Sequence, residues 1–589
     1  MIDPIKFYNQ ELEKYKAEVA SHKKRLLLLS TLRLLVFVII GLLIYVTFSN
    51  WQLALIVGIL GFGIFIYLLL KYTDTKAKRE LHKALVKINA EELKIASGEF
   101  HNRDTGLQFQ DPKHFYSLDI DLFGKGSFFQ YINRTISAEG QHELSNALKA
   151  NNISNIKERQ DAIKELSEKT KWTQLYAATG SLIETETPAS KIIYWLKGHK
   201  KFISKEIKLT PWLFTLISVA LLILAIFNRL DISFFGYWLF AGLGLTGLYL
   251  KKINVLAVNS DKAKDTFKQY ASLLLQIENE EFTSKLLQEK QKQIQSEGKK
   301  ASAIFSEFSK HLDALDNRNN LIGAIFGNGY LLSDIKNAYK VEQWISKYAH
   351  KVEDWFEVVS FFDAYNSLGN YTFNHKEHVF PEISEGKTII NAENLGHPLL
   401  DETKRVSSNV IIGNKQFFIV TGANMAGKST FLRTVSLHIM MANVGLPVCA
   451  KSSSYSPVKL ITSMRTSDSL TDDSSYFFSE LTRLKFIVDA IEKEPYFIIL
   501  DEILKGTNST DKAIGSRKFV EKLVAGYATG IIATHDLSLC EISEELDEVK
   551  NYYFDAQIVN NELYFDYKFK KGICQNMNAS FLLKKMEII

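Results

Sequence analysis

Two pairs of closely spaced apolar stretches in this chain carry no charged side chain. Leu34–Phe48 and Trp51–Leu70 are separated only by Ser49 and Asn50, and Trp212–Phe227 and Ile232–Leu250 only by the tetrapeptide NRLD. A helix needs about 20 apolar residues to cross the hydrocarbon of a bilayer. A backbone in lipid must satisfy its own hydrogen bonds, so the pattern predicts helices. We read two transmembrane hairpins, 34–70 and 211–250, four spans in all. Helices buried in a soluble core are the bland alternative, but short-looped, uncharged hairpins are hard to bury any other way.

The flanks orient them. Lys23, Lys24, Arg25 and Arg33 precede the first hairpin, and Lys71, Lys76, Lys78 and Arg79 follow it. Lys197, Lys200, Lys201, Lys205 and Lys208 precede the second, and Lys251 and Lys252 follow it. The positive-inside rule then sends both hairpins in from the cytoplasm. This predicts a multi-pass protein of the cell membrane with both termini and all soluble parts cytoplasmic. Residues 1–33 form a charged cytoplasmic segment, too long and without the small-residue site of a cleavable signal. No Asp, Glu, Lys or His lies mid-span, so the usual marker of a transport path is missing. Glycines 58, 61, 63, 242, 244 and 247 give neighbouring helices room to approach.

Between and after the hairpins the texture is that of folded, water-soluble protein. Residues 71–114 read as a helical linker, with an amphipathic helix over 76–98. Residues 115–210 carry apolar positions at helical spacing, broken at AEGQ and NNIS, and 251–384 are a long helical region. Within it, IENEEFTSKLLQEKQKQIQSEGKK (277–300) is charged nearly all round, which predicts a solvated arm. From 385 to 589 short β-rich runs (TIINAEN, NVIIG, QFFIVTG, PYFIILD, TGIIATH) alternate with helical segments, the signature of an α/β domain with a mostly parallel sheet. The prediction is therefore multidomain: transmembrane helical hairpins, an all-α core and lever, and a C-terminal α/β domain of the P-loop NTPase type. Composition changes little. Over 589 residues the net charge is +5, too weak to argue for nucleic acid by itself. The three cysteines fit a reducing compartment and no two have metal-ligand spacing.

The candidate chemistry lies in that last domain. GANMAGKS (422–429) fits G-x-x-x-x-G-K-[ST] between a predicted strand and a predicted helix. The loop Gly422, Ala423, Asn424, Met425, Ala426, Gly427, Lys428, Ser429 and Thr430 would wrap phosphates with its backbone amides. Lys428 would reach the β- and γ-phosphates and Ser429 would ligate Mg²⁺. YFIILDE ends a buried strand in Asp501, placed to hold the same Mg²⁺, and Glu502, placed to orient and deprotonate water. His535 follows another strand, in ATHD, where a γ-phosphate sensor would sit, although a lone histidine is more often structural. ATP and Mg²⁺ are the cofactors implied.

TGANMAGKSTFLR, with Asn424-Met425 between its glycines, resembles the P-loop of the MutS family of DNA mismatch-repair ATPases. GHPLL (396–400) resembles the family's His-Pro entry to the ATPase domain, and Asn409 its asparagine ahead of the P-loop strand. LDEILKGTNSTD resembles its Walker B segment and ATH its histidine switch. DSLTDDSSYFFSEL resembles the signature loop that reaches a neighbour's nucleotide, with Ser475 aligned to the active serine. DIDLFGKGSFFQYINRTISAEGQHEL (119–144) and IKERQDAIKEL (156–166) resemble the start of the family's core, and VVSFFDAYNSLGNYTFNHKEHVFPEI (358–383) the end of its lever. The resemblance implies a homodimer through the ATPase domains, composite sites completed in trans by Ser475, and DNA, mismatched or branched, as the partner of the helical arms.

The departures matter too. No Phe-x-Glu mismatch reader is recognisable before the core, and no clamp domain within the arms. Asp472, Asp473 and Ser474 stand where many relatives carry Ser-Gly-Arg, and acids facing a γ-phosphate would repel it. Two other functions stay open. One is an ATP-switched membrane scaffold without mismatch recognition. The other is a transporter-type ATPase, against which stand the few spans and the absence of a Leu-Ser-Gly-Gly run.

Overall fold

The computed structural model describes residues 3–185, 187–296, 298–316, 321–465, 476–559 and 562–575. The chain begins with helix α1, Pro4–Thr47, started by Pro4 in the first turn and by the Asp3 carboxylate, which accepts from the Ile5 amide at 2.8 Å. A short turn ends in Asn50, whose side chain caps helix α2, Trp51–Ala96. The two pack side by side along their length. At 44 and 46 residues each exceeds what a bilayer of about 30 Å requires at 1.5 Å per residue. The uncharged thirds carry their apolar side chains on the surface, Phe37 at 68% and Phe62 at 65% exposure. The remainder, 4–33 against 71–96, is a polar antiparallel stalk, so the segment expected to be a tail is half of a rigid rod.

The stalk docks on the core. Glu92 of α2 is buried and grips Arg134 through two bonds, Nε to Oε1 at 2.5 Å and Nη2 to Oε2 at 3.2 Å. Its Oε2 also accepts from Asn374 Nδ2 at 3.1 Å. From the other stalk helix the Tyr8 hydroxyl donates to Asn374 Oδ1 at 2.7 Å.

The core opens with α3 (Phe128–Ile132), α4 (Ala138–Lys149), α5 (Ile156–Glu168), α6 (Thr170–Ser181) and α7 (Ala189–Gly198). The second hairpin follows, α8 (Thr210–Ile226) and α9 (Ile232–Asn279). Its helix α9 runs on from the apolar span into the core, where Phe267, Leu273 and Ile277 are fully buried. Then come α10 (Lys285–Gln293), a two-residue hairpin β1 (Gln295–Ser296) and β2 (Lys299–Lys300), α11 (Ala301–Asp316), α12 (Leu321–Leu331) and the lever α13 (Ser333–Asn374). The lever is packed against α4, α5, α9 and α11. In its middle, buried Asp363 accepts from the Ile136 and Ser137 amides and, at 2.6 Å, from the Ser137 hydroxyl. That carboxylate therefore sits at the start of α4, where helix amides and dipole favour negative charge. Burial still pushes its pKa up to about 7.

Among the described residues four helical segments are long and apolar enough to cross a membrane, α1, α2, Glu206–Ile226 and α9, where two hairpins were expected. Of the glycines singled out, Gly61 and Gly242 lie at close helix contacts. A Cβ on Gly61 would meet Ile40, and one on Gly242 would lie 2.3 Å from the Gly329 carbonyl oxygen. Glycines 63, 244 and 247 face open space. Two features differ from expectation. The charged stretch 277–300 is no projecting arm: α10 has nine residues, Leu287 is buried, and Glu165 accepts from the Thr283 and Ser284 amides at its start. And α12, an apolar helix too short to span, lies beside the second hairpin. Phe235 stacks on Tyr330 at 4.1 Å, and Ser218 Oγ donates to the Tyr330 carbonyl at 2.7 Å.

The C-terminal domain has two sheets. The smaller orders β3 (Glu382–Ile383), β7 (Ser452–Tyr455), β4 (Thr388–Leu395) and β5 (Ser408–Gly413). The larger orders β14 (Lys570–Lys571), β11 (Val549–Phe554), β6 (Phe417–Gly422), β10 (Thr529–Ala533), β9 (Tyr496–Asp501) and β8 (Lys459–Ser463), parallel except for β14. Buried on both faces, β6 and β9 read as continuous apolar runs in sequence. Helices α14 (Lys428–Val444), α15 (Tyr476–Ile491) and α16 (Ser509–Ala525) connect them. Short α17 (Ile542–Glu545) precedes β11, and β12 (Ala556–Val559) pairs with β13 (Glu562–Phe565).

Removing the Glu92 side chain would leave Arg134 charged and buried without its bidentate partner. Glu92→Ala should cost about 3–5 kcal/mol, read as a lowered denaturant midpoint of the detergent-solubilised chain. Lys94→Ala, at an exposed position two residues further along α2, serves as the near-neutral control.

Candidate nucleotide-binding site

In an open parallel sheet, loops leave the carboxyl ends of adjacent strands on one edge, and ligands bind there. Here β6, β10 and β9 are in register with Val420, Ala533 and Leu500–Asp501 side by side. The chain leaves these strands into 423–427, Thr534–His535 and Glu502–Leu504. The three expected motifs are therefore neighbours in space although scattered over more than a hundred residues.

The turn out of β6 is built on glycine. Gly422 has φ +149° and a Cβ there would lie 2.6 Å from the Phe554 carbonyl oxygen; Gly427 has φ +105°. Gly422 and Ala426 are buried. Ala423, Asn424, Met425, Gly427, Lys428, Ser429 and Thr430 line a cleft of about 690 Å3. Met425 is 77% exposed with φ +67°, so the family-specific position is a surface position, not a core one.

Lys428, 6% exposed, donates through Nζ to the Gly422 carbonyl at 2.7 Å and the Ala423 carbonyl at 3.1 Å. Burial lowers its pKa from the ordinary lysine value. Ser429 Oγ donates to Asp501 Oδ2 at 2.7 Å. Burial raises the Asp501 pKa from its ordinary value. His535 Nε2 lies 2.8 Å from Glu502 Oε1 and 3.2 Å from Lys428 Nζ. One ring nitrogen cannot both donate and accept, and the shorter contact is to a carboxylate, so Nε2 is the donor. This bond holds the Glu502 carboxyl at about 2, with Lys505 Nζ, 3.4 Å from Oε2, acting the same way. Glu502 has φ +44° and Leu504 +59°, left-handed conformations that side-chain-bearing residues avoid unless their surroundings impose them. The imposing group is Glu480, buried on α15, which accepts from the Leu504 amide at 2.6 Å and the Lys505 amide at 3.0 Å.

Every expected residue from Gly422 to Thr430, with Asp501, Glu502 and His535, meets at this edge. Ser475, like Asp472, Asp473 and Ser474, lies outside the described residues. Beyond the phosphate-loop end the cleft is walled by Leu395, His397, Leu400, Val406, Phe554 and Tyr567. His397, from the His-Pro sequence, is kept neutral by burial and by Arg433 nearby, its pKa lowered to about 4. Asn409 lies behind this wall; its Oδ1 accepts from the Asn394 amide at 2.9 Å. The aromatic wall residues Phe554 and Tyr567 escaped sequence reasoning, since no motif spacing reports them.

The chain matches MutS domain V over residues 418–585. It is 31% identical over 257 residues to MutS protein homolog 4 of Homo sapiens, covering 41% of this chain and 26% of that protein. The chain therefore carries a MutS-family domain in its C-terminal part. It is also 27% identical over 240 residues to DNA mismatch repair protein MutS of Staphylococcus haemolyticus, covering 40% of this chain and 27% of the relative. With DNA mismatch repair protein Msh2 of Dictyostelium discoideum the identity is 31% over 199 residues, covering 33% and 21%. The match thus spans about a quarter of the length of these curated relatives, and the MutS domain V it contains is an α/β domain of the ATPase type.

The MutS-like domain is tied to the core at both ends of its P-loop helix. Near the start of α14, Arg433 Nη1 lies 3.1 Å from Asp121 Oδ2. At its end, Arg159 of α5 donates to the Asn443 carbonyl at 2.6 and 3.2 Å, closing the negative end of the helix dipole. Asp121 also holds Arg465 through two bonds of 2.6 and 3.1 Å, and Asp119 accepts from the Arg465 amide. The core segment that carries the family resemblance therefore anchors the last described residue before 466–475.

A methyl group at position 422 has no room and no allowed conformation. Gly422→Ala should destabilise the domain by about 1–3 kcal/mol and lower its melting temperature even in the absence of nucleotide. Ala423→Gly, in the same loop, should leave the melting temperature close to that of the parent.

Proposed function

We propose that this chain is a membrane-anchored MutS-like ATPase. It would bind and hydrolyse ATP at sites shared between two copies, and so control the grip of its helical arms on DNA, mismatched or branched. The observation that carries the reading is the convergence of Lys428, Ser429, Asp501, Glu502 and His535 at one sheet edge, next to an apolar-walled cleft. One end of that cleft suits a triphosphate and the other a purine.

Each side chain has a part to play. The amides of 423–428, at the start of α14, favour phosphate through hydrogen bonds and helix dipole together. Lys428 is already desolvated, so its charge acts on a γ-phosphate in a medium that screens it little. Ser429 and Asp501 offer a hydroxyl and a carboxylate oxygen 2.7 Å apart, the hard oxygen donors that Mg²⁺ takes alongside phosphates and water. Once bound there, the ion would neutralise charge building on the phosphates. Glu502 is held as a carboxylate by His535 and Lys505, and would orient water and accept its proton once those contacts loosen. His535 touches both Glu502 and Lys428, so it is placed to register whether a γ-phosphate separates them. Ser475 would complete the site from the partner copy.

The membrane part of the proposal is supported by the four apolar helices, whose most apolar windows are only 6–17% buried. Soluble proteins rarely leave contiguous apolar surface of that extent in water. The DNA part rests on the relatives named above. A second reading is an ATP-switched membrane scaffold that uses the same site without DNA.

Lys428→Ala should abolish ATP turnover by the chain in detergent or lipid. Glu502→Gln should retain ATP binding and lower turnover by at least about 100-fold, within the range that general base catalysis supplies. Hydrolysis unchanged in Lys428→Ala would remove the site from consideration. To separate the two readings, homoduplex, mismatched and branched DNA should be titrated with and without ATP at physiological salt. Nucleotide-dependent affinity for one structure supports the DNA reading, and no binding to any leaves the scaffold.

A further inference from the structure

A second cleft, about 990 Å3, lies at the cytoplasmic foot of the second hairpin, between α7, the loop after it and α9. Five lysines line it: Lys191, Lys200, Lys201, Lys251 and Lys252. No Asp or Glu is among its lining residues, and none of the five lysines forms an ion pair among the described residues. Lys197, on the same helix, is by contrast paired with Glu353 and does not face the cleft. Five uncompensated ammonium groups around one cavity repel one another, which is a standing preference for an anion.

Its position says which anion. Lys251 and Lys252 directly follow Leu250, the last residue of the uncharged span. At about 1.5 Å per residue they fall in the headgroup layer, and Val255, Leu256 and Asn259 lie within about 15 Å of the hydrocarbon. The rest of the wall is amphipathic. Tyr194 is 83% exposed and Val255 62%, with Trp195 beside them. Aromatic rings with a polar edge collect at this depth of a membrane, and basic pockets between helices on the cytoplasmic side suit anionic headgroups.

The site is also pre-formed. The loop bearing Lys200 and Lys201 is clamped by Glu342 of the lever α13, which is 1% exposed. Its carboxylate accepts from the Phe202 amide at 2.8 Å and the Ile203 amide at 3.0 Å, and lies 3.1 Å from His199 Nε2. Lys252 and Lys201 lean on the rings of Phe202 and Tyr339 at 5.9 and 6.0 Å. The lysines are thus held by fixed walls and do not sit on a loose tail.

We infer that this cleft binds the phosphate headgroup of an anionic membrane lipid, and that Glu342 links its occupancy to the lever. The inference rests on the second hairpin lying in a bilayer. A DNA backbone offers the same phosphate chemistry, but half of this wall is apolar and its rim continues into an uncharged helix. A duplex would have to lie against the bilayer to reach it.

The test uses the full chain in nanodiscs of mixed phosphatidylcholine and phosphatidylglycerol, with the lipids that stay bound read by native mass spectrometry. Flotation with carbonate-washed vesicles first establishes insertion; a chain that washes off overturns the membrane reading itself. For the inserted chain, phosphatidylglycerol should be enriched over the bulk ratio. Lys191→Gln/Lys200→Gln/Lys201→Gln, which leaves the span-flanking Lys251 and Lys252 in place, should lose that enrichment while still inserting. The three corresponding arginine substitutions should keep it, and Lys23→Gln/Lys24→Gln at the first hairpin should not change it. Equal enrichment in the parent and the glutamine variant overturns the inference. So does binding of a DNA duplex that the glutamine variant alone loses.

Discussion

The lever α13 is buried on every side from Val358 to Gly369 and keeps one exposed stripe only ahead of that stretch, and most of the architecture follows from that constraint. A 42-residue helix with more than half of its residues buried must find partners for the charges it carries inward. Its carboxylates do this by capping other elements. Asp363 sits at the start of α4, and Glu342 gathers the amides of the loop after α7. Each such contact fixes an element to a defined height along one rod. Because cores of this kind do not deform continuously, a shift of the rod moves whole elements together. The rod begins beside α12 and the second hairpin and ends beside the first strands of the nucleotide domain.

A similar economy holds the nucleotide site. Glu480 fixes the two left-handed turns after β9, and it does so from α15, the helix that follows 466–475. Asp119 and Asp121 fix Arg465, on the other side of that segment. Both ends of the stretch resembling the signature loop are thus held by carboxylates, Glu480 in the sheet domain and Asp119 and Asp121 in the helical core. The P-loop helix between them is clamped by Arg433 and Arg159. Whatever moves the phosphate end of α14 therefore acts on the core through charged contacts that leave little slack.

What was legible in the sequence had short-range signals. The four long apolar helices showed as runs without charge, the buried strands as continuous apolar runs, and the P-loop by glycines at fixed spacing. The cleft's phosphate end was therefore readable residue by residue. What escaped depends on contacts between distant positions. The Asp121–Arg465 pair joins residues 344 apart, and nothing local marks either. Helix α12 was hidden because its apolar run is shorter than a span and sits in a region already read as helical. The charged stretch around α10 was misread as an arm because composition counts charges but not the few buried contacts, Leu287 and the Glu165 cap, that fold it down. Its exposed faces are as polar as expected.

The stalk of α1 and α2 projects about 40 Å beyond the apolar part of the hairpin at 1.5 Å per residue, and a second hairpin enters at another point of the core. Two supports fix height and tilt where one would allow swivelling. In a bilayer, two such molecules would present their nucleotide sheets at the same elevation and in the same attitude. The search for a matching copy would then be a search over a plane, in which effective concentration is set by the density of molecules in the membrane and not by the volume of the cell.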